Sequence, residues 1–505
     1  MVLGDPHRYR HITAPPFQCE FHTVGRSAMT SLRETTPPTV ADLLVERLAA
    51  RTVDDADYWN FAGNDKRSHG HALFPYPAMM VPQLQGALLD DLQAADPIVE
   101  WCYDPFGGSG TVLTECMRRG LSFVGGDLNP LAVLIMAVKA RPLREQTLQA
   151  AVKRVLADVA GTRRTETVKF RGRDKWFTAD AVRDLSRLNA AIRRQEGRPT
   201  RRFLWVCLAA TVRLVSNSRM STFKLHVYPD DVLEQRAVDA VDIFRRVACE
   251  AVTQMSEQYT ELVDAERLAR GRYAGDVRVR HADVLDRAGW SRGFKADVLM
   301  TSPPYGDNRT TVPYGQHSFL PLMWIERADI VAGDLEPLLG SPYRIDVASI
   351  GGRRVADLHA SLDDLGRRSE AIASTRKALA GATGDGLHRF AAFCADLDRA
   401  IDALEGRLRP GAIQFWTLGN RRISGQVVPT STIVSQLSAS RGATELVILS
   451  RSFPKNSRRM AARNDTVQLM DTEQILVLRS PNRTPGDLAT PNTAARRPVV
   501  PGGGQ

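Results

Sequence analysis

The chain has 505 residues, 43% hydrophobic and 25% charged, enough for two or three domains with a large buried core. Lysine and arginine number 67 against 57 aspartates and glutamates, a formal charge of +10, which favours a polyanionic partner without identifying one. No apolar run approaches the roughly 20 residues that span a bilayer, the opening MVLGDPHRYRHITAPP lacks the apolar stretch of a secretory signal, and the six cysteines form neither a CxxC pair nor a Cys/His cluster at zinc spacing. A membrane protein, a disulfide framework and a bound metal are therefore not expected, and the cytoplasm is the expected location.

Residues 1–60 read as an N-terminal arm, partly disordered, with one short helical stretch in which Val40, Leu43, Leu44 and Leu48 recur at helical spacing. Over 61–145 a helix at 82–95 (Leu84, Leu88, Leu92) precedes the run IVEWCYD, a Gly-rich turn, the helix TVLTECMRRG and the run LSFVGGD, a βαβ beginning. Residues 146–275 read as an inserted helical lobe that carries FLWVCLAATVRLVS and the basic cluster RRQEGRPTRR at 193–202. The runs VRVRHAD and ADVLMTS place core strands within 276–334. A second helical insertion, 335–408, ends in an amphipathic helix with Phe390, Phe393, Leu397, Ile401, Leu404 and Leu408 at three-four spacing. Residues 409–480 supply AIQFWTLG, ELVILSRSF and QILVLRS, the last two close enough to pair as an antiparallel edge, and 481–505 is a Pro/Gly/Thr tail expected to be disordered. The fold class is α/β: a doubly wound, Rossmann-like sheet, mostly parallel with an antiparallel edge strand, plus inserted helical regions.

Two motifs carry chemistry. DPFGGSGT, Asp104 to Thr111, follows one strand and opens a helix, and Asp127 ends the next strand at about the spacing that puts a carboxylate on a ribose hydroxyl. The loop lacks a Walker lysine, and Asp104 would repel phosphate; an acid there suits a cationic group. The second motif, TSPPYGD, follows the strand ADVLM. Pro303 and Pro304 remove two backbone donors and stiffen a corner at which carbonyls and the Ser302 hydroxyl are free to accept protons, while Tyr305 adds a flat stacking surface. Each motif alone also has a plain structural reading, a Gly-rich strand-to-helix turn and a Pro-Pro strand cap.

Together the two motifs resemble the S-adenosylmethionine-dependent amino-group DNA methyltransferases of SPPY/DPPY type, and the resemblance extends to HALFPYPAMMVPQL (71–84), HADVLD (281–286), YGQHSFLPLMWI (314–325) and LGNRRISG (418–425). It implies a methyltransferase sheet with S-adenosylmethionine as cofactor, Asp104, Phe106, Gly107, Gly108 and Gly110 around the methionine part, Asp127 at the ribose, Asp283 at the adenine, Phe74 and Tyr76 lining the cofactor, and Thr111 and Asn129 among the cofactor-binding residues. Ser302, Pro303, Pro304 and Tyr305 would form the catalytic corner that grips a base flipped out of double-stranded DNA. The cofactor motif precedes the catalytic one, so the target-reading region cannot be carried over from enzymes of the opposite order. Serine at 302 tilts the product to cytosine-N4 over adenine-N6. Arg193, Arg194, Arg198, Arg201 and Arg202, with Lys455, Arg458, Arg459 and Arg463, are the candidate phosphate contacts. A tRNA guanine-N2 methyltransferase and a catalytically silent DNA-binding subunit are the competing readings. A restriction or defence-system partner is compatible with the resemblance, and the sequence leaves the oligomeric state open.

Overall fold

In the computed structural model of the protein, residues 37–63, 68–162, 165–286, 293–306, 311–331, 333–381, 384–452 and 472–482 are described; from Thr39 onward they belong to a single compact unit. Seven strands make its main sheet: β1 (Trp101–Asp104), β2 (Ser122–Asp127), β3 (Val277–His281), β4 (Ala296–Thr301), β5 (Leu408–Leu418), β6 (Thr444–Ser452) and β7 (Thr472–Arg479). Their order is β6-β7-β5-β4-β1-β2-β3. β1 to β5 run parallel, and β7 is antiparallel to both neighbours. The late pair is thus antiparallel as the sequence suggests, but the reversed strand stands one place in from the edge: β6 returns from β5 by a helical crossover that leaves a one-strand gap, and β7 fills it.

The longer helices are α1 (Val40–Asp54), α2 (Pro82–Ala95), α3 (Thr111–Arg119), α4 (Pro130–Lys139), α5 (Glu145–Gly161), α6 (Ala179–Arg193), α7 (Arg198–Val215), α8 (Ala240–Asp264), α9 (Tyr314–Met323), α10 (Leu358–Arg368), α11 (Glu370–Leu379), α12 (Gly386–Glu405) and α13 (Thr430–Ala439). Period-two alternation sends the strand side chains to two separate cores. Cys102, Val298, Met300, Ile475 and Val477 pack with Leu84, Leu88 and Val112 of α2 and α3. Tyr103, Leu299, Leu476 and Leu478 pack on the opposite face with Phe390, Phe393 and Leu397 of α12. A third core joins α4 to α9, with Phe203 and Trp205 of α7 fully buried in it. Among the described residues no helix is long and apolar enough to cross a membrane.

The segment expected to be an arm is, from Thr39, packed structure. Thr39 caps α1 in a reciprocal capping box with Asp42, and Arg51 holds the buried Asp91 of α2 through two 3.0 Å bonds. The strap leading to Phe74 and Tyr76 is anchored where buried His71 meets buried Glu115 of α3 at 3.0 Å. Arg118 and Arg119 reach the same carboxylate at 3.0 and 2.6 Å. Burial acts to raise Glu115, but His71 and the two guanidinium groups outweigh it and hold the acid down to about 2. The charge therefore stabilises the fold above its ordinary value of 4.5, and that stabilisation disappears as pH falls toward 2. Glu115→Gln is expected to destabilise the protein by about 3 kcal/mol at neutral pH, since it unpairs buried cations. In urea titrations the gap to the wild type should close progressively in acid; a pH-independent gap would show that packing, not charge, accounts for the loss.

Candidate functional site

The chain leaves β1 toward β2 and β3 and then returns to lay β4 on the other side of β1. Strand order reverses there, and open α/β sheets bind ligands at the carboxyl ends beside such a reversal. Both sequence motifs begin at that point, because Asp104 ends β1 and Thr301 ends β4. The Thr301 hydroxyl donates to Asp104 Oδ1 at 2.7 Å, and the Phe106 amide donates to the same oxygen at 3.1 Å. Asp104 Oδ2 is buried with no hydrogen-bond partner among the described residues. Burial, only partly opposed by those two bonds, pushes the acid up to about 7.

The Gly-rich turn is pinned to β2. Gly107 N–H donates to the Gly126 carbonyl at 2.9 Å, and Gly108 N–H donates to Asp127 Oδ2 at 2.9 Å. Gly108 and Gly110 have φ of 49° and 76°, left-handed values that a side chain would strain, and a Cβ on Gly108 would stand 3.4 Å from the Tyr76 ring. Asp127 also accepts from Asn129 N at 2.8 Å; burial raises it to about 6 against these amide bonds. Thr111 is buried at the start of α3.

Of the other expected cofactor residues, Tyr76 lies beside the turn and stacks on Tyr314, ring centroids 5.7 Å apart. Phe74 is fully buried behind it, edge-on to His317 at 5.9 Å. Asn129 is buried and its side chain is committed to the protein: it accepts from Leu131 N at 3.1 Å and donates to Tyr76 Oη at 3.0 Å and Ser318 Oγ at 2.7 Å. Asn129, expected among the cofactor-binding residues, thus caps α4 and spends both amide protons within the protein. Asp283 is half-buried just past β3 and accepts from Leu285 N at 2.9 Å; burial raises it, while the Leu285 amide and Arg353 oppose.

In the second motif Pro303 is buried and Ser302, Pro304 and Tyr305 are partly exposed. Tyr305 Oη donates to Glu473 Oε1 of β7 at 2.7 Å, and Arg451 of β6 holds Glu473 Oε2 at 3.0 Å. With the single tyrosine proton directed at Glu473, the 3.3 Å contact between Ser302 Oγ and Tyr305 Oη is supplied by the serine proton. The Ser302 lone pairs are then left as acceptors. The hairpin Arg421–Ile423/Gln426–Val428, which carries LGNRRISG, covers this turn: a Cβ on Gly306 would overlap Arg421 Nη1 at 1.7 Å. Asp346, which no sequence motif marks, clasps Gly315 N at 2.7 Å and Gln316 N at 3.3 Å, fixing the start of α9 and so Tyr314.

The basic cluster is placed elsewhere. Arg201 forms a bidentate pair with Asp329 (2.8 Å twice), and Arg202 donates to the Asp329 and Ile330 carbonyls at 2.6 and 3.1 Å. Arg193 pairs with Glu326 at 2.9 Å and Arg194 with Asp158 at 3.3 Å. Arg213, twelve residues beyond Arg201 on α7, is the one that approaches the site, donating to the His317 carbonyl at 3.1 Å. At 1.5 Å per residue the cluster is roughly 18 Å from that end. The phosphate role expected of Arg201 and Arg202 is therefore corrected: their donors tether α7 to Arg327–Ile330. Lys455, Arg458, Arg459 and Arg463 lie outside the described residues.

No family model matches the chain. It is 26% identical over 456 residues, 86% of its length and 97% of the relative's, to the type II methyltransferase M.MvaI of Kocuria varians. To the type II methyltransferase M.MjaII of Methanocaldococcus jannaschii it is 31% identical over 115 residues, 23% of this chain and 20% of that one. Among solved structures, the rRNA methyltransferase aviRa of Streptomyces viridochromogenes aligns at 13% identity and a TM-score of 0.27, covering 81% of this chain and 88% of that one, too loose a superposition to carry weight. The similarity to M.MvaI, which runs through nearly all of that protein, supports an enzyme of the methyltransferase class.

Asp104 has a testable energetic consequence. Its folded value of about 7 lies above the ordinary 3.8, so in the ligand-free protein it contributes a stabilisation present in acid and lost as pH rises through about 7. Asp104→Asn is expected to melt at or above the wild-type temperature at pH 8, and below it or level with it at pH 5. A variant destabilised equally at both pH values would mean that the ionised acid is not strained.

Proposed function

We propose that the chain is a DNA methyltransferase that moves a methyl group from S-adenosylmethionine to the exocyclic amino group of a base flipped out of the duplex, with cytosine N4 favoured over adenine N6 by the serine at position 302. One observation carries this reading: an acceptor corner, Ser302 to Tyr305, and a buried unpaired acid, Asp104, are bonded to each other through Thr301 at 2.7 Å across the strand reversal. A ring amine held at the first is thereby adjacent to a cation held at the second. Similarity to two type II methyltransferases supports the methyltransferase half, and the SPPY resemblance supplies the DNA half.

The residues fit the cofactor. When bound, S-adenosylmethionine supplies a methyl group carried on a positively charged sulfur. Asp104 Oδ2, buried and lacking a partner, would take the amino group of the methionine part. Gly107, Gly108 and Gly110 leave the turn without side chains, Phe106 and Thr111 flank it, and Tyr76 closes one side. Asp127 would share its carboxylate between the Gly108 amide and a ribose hydroxyl, and Asp283 would reach the adenine.

Base chemistry rests on orientation. The amino nitrogen of cytosine is conjugated with its ring and a poor nucleophile, so its lone pair must be freed and aimed. Ser302 Oγ and the Pro303 carbonyl accept hydrogen bonds from its two N–H groups and favour a pyramidal nitrogen, a positioning contribution. Tyr305 stacks on the ring, offsetting part of the few kcal/mol that extrusion costs. Glu473 and Arg451 act on Tyr305 as positioning residues: they fix the phenol proton and hence the direction of the Ser302 hydrogen bond.

Radiolabelled S-adenosylmethionine supplied with unmethylated genomic DNA and bulk tRNA in parallel, followed by nucleoside mass spectrometry, is expected to yield N4-methylcytosine from DNA. N6-methyladenine would move the target base, whereas label in tRNA alone, or none despite cofactor binding, would sink the proposal. Tyr305→Ala should keep cofactor affinity yet slow DNA methylation by about one to two orders of magnitude, the worth of roughly 1 to 3 kcal/mol of base stacking. A mismatch at the target should restore part of that loss. Glu473→Gln should lower kcat with little change in KM for either substrate, and a wild-type kcat would remove Glu473 from the corner.

A further inference from the structure

The helical lobe sends one loop back to the site. Residues 217–228, between α7 and the short helix Asp230–Gln235, are closed by the Ser218–Val227 bridge and by backbone bonds from Arg219 N to His226 O (2.8 Å) and Tyr228 N to Asn217 O (2.9 Å). Asn217 N also donates to the Trp176 carbonyl at 2.8 Å, which joins the loop to segment 165–177. Toward the site, Leu225 N donates to Gln316 Oε1 at 3.2 Å, and the Phe223 ring meets His317 edge-on at 5.6 Å. His317 in turn lies 6.3 Å from the Tyr76 ring that borders the Gly-rich turn.

The tip is apolar and the loop itself carries cations, while the short helix that follows opens with the exposed acids Asp230 and Asp231. Met220 and Phe223 are each 41% exposed, large apolar side chains held in solvent at the rim of a polar site. Residues 216–229 contain Arg219, Lys224 and His226 and no acid. Lys169 and Arg171 of the adjoining segment and Lys224 are exposed, and none of the three forms an ion pair among the described residues. In the 193–202 cluster, by contrast, Arg193, Arg194 and Arg201 have carboxylate partners and Arg202 is spent on carbonyls.

We propose that loop 217–228, together with Lys169 and Arg171 of the segment joined to it through Trp176, is the surface that grips duplex DNA next to the extruded base. Lys169, Arg171 and Lys224 neutralise phosphates, and Phe223 with Met220 forms the wedge that enters the loosened base step, as apolar side chains do where proteins unstack a duplex. This rests on the methyltransferase reading and adds to it the place where the DNA runs.

The test uses the full-length chain and a fluorescent duplex of mixed sequence, with affinity followed by anisotropy as salt is raised. Reversing Lys169, Arg171 and Lys224 together to Glu should reduce the slope of log K against log salt by about 0.9 for each phosphate that is no longer neutralised, while S-adenosylmethionine affinity by calorimetry stays at the wild-type value. Reversing Arg193 and Arg194 should leave the slope alone. Phe223→Ala should slow methylation of unmethylated genomic DNA at least tenfold more than it weakens DNA binding. A triple reversal with the wild-type slope, or a slope that drops instead for Arg193 and Arg194, overturns the loop assignment and leaves the methyltransferase reading in place. A wild-type protein that binds the cofactor but no duplex overturns both.

Discussion

The Thr301–Asp104 hydrogen bond is the constraint on which the site depends. It links two motifs almost 200 positions apart in the chain, and it exists only because β4 is laid beside β1 in parallel. That bond, with the Phe106 amide, satisfies Oδ1 and leaves Oδ2 buried without a partner among the described residues. It also holds the last residue of β4, and with it the start of the Ser302–Tyr305 corner. A cofactor pocket and a base pocket built on separate loops could drift relative to each other by more than the tolerance of an in-line transfer, about half an ångström for productive geometry. Rooting both in neighbouring strands removes most of that freedom.

The arrangement is electrostatically uneasy without a ligand. Burial raises Asp104 to about 7, and Asp127 and Asp346 each to about 6, so three acids of the site each oppose desolvation with backbone or hydroxyl donors alone. Glu115 on α3 is the opposite case: the His71 hydrogen bond and the Arg118 and Arg119 guanidinium groups overcome burial. The difference separates two uses of a buried carboxylate. Glu115 anchors the strap and is fully paired within the protein, whereas Asp104 keeps one oxygen idle. An idle buried oxygen lowers stability, and that is the expected signature of a group whose partner arrives with the ligand.

Strand positions are readable from the sequence because both sheet faces are buried, which makes runs such as ADVLM and QILVL continuous and bounded. The helices at 82–95 and 386–405 are readable for the complementary reason, one apolar stripe each. Order within the sheet is not readable: period-two alternation says nothing about neighbours, and the insertion of β7 between β5 and β6 leaves no local mark. The two motifs are legible as residue types, but their junction through Thr301 is not, nor is Glu473, whose role arises from strand pairing 168 positions away from Tyr305. Asn129 resembles a ligand group because it follows Asp127 closely, yet an asparagine before Pro-Leu is equally a helix cap, and the cap is what its bonds describe.

Charge misleads for a related reason. A string of arginines counts as basic in any sum over sequence, but Arg201 faces Asp329 across 128 positions, and nothing near residue 201 announces that partner. What matters for a polyanion is charge left unpaired after folding and set at the right end of the sheet. The strand-to-helix connections that build the site leave the carboxyl ends of β1, β2 and β4, and the lobe inserted between the parallel strands β2 and β3 starts at that end and finishes at the opposite one. A turn of the lobe overlooks the site only where it comes back to that carboxyl end, as the Leu225–Gln316 bond and the Phe223–His317 contact show for one of them. Loop 217–228 is such a turn, at the site end of α7, while the arginine cluster occupies the far end of the same helix. On the proposed reading, topology decides which cations of the lobe are available to DNA, and it selects few and scattered ones, Lys169, Arg171 and Lys224, over many that are adjacent in sequence.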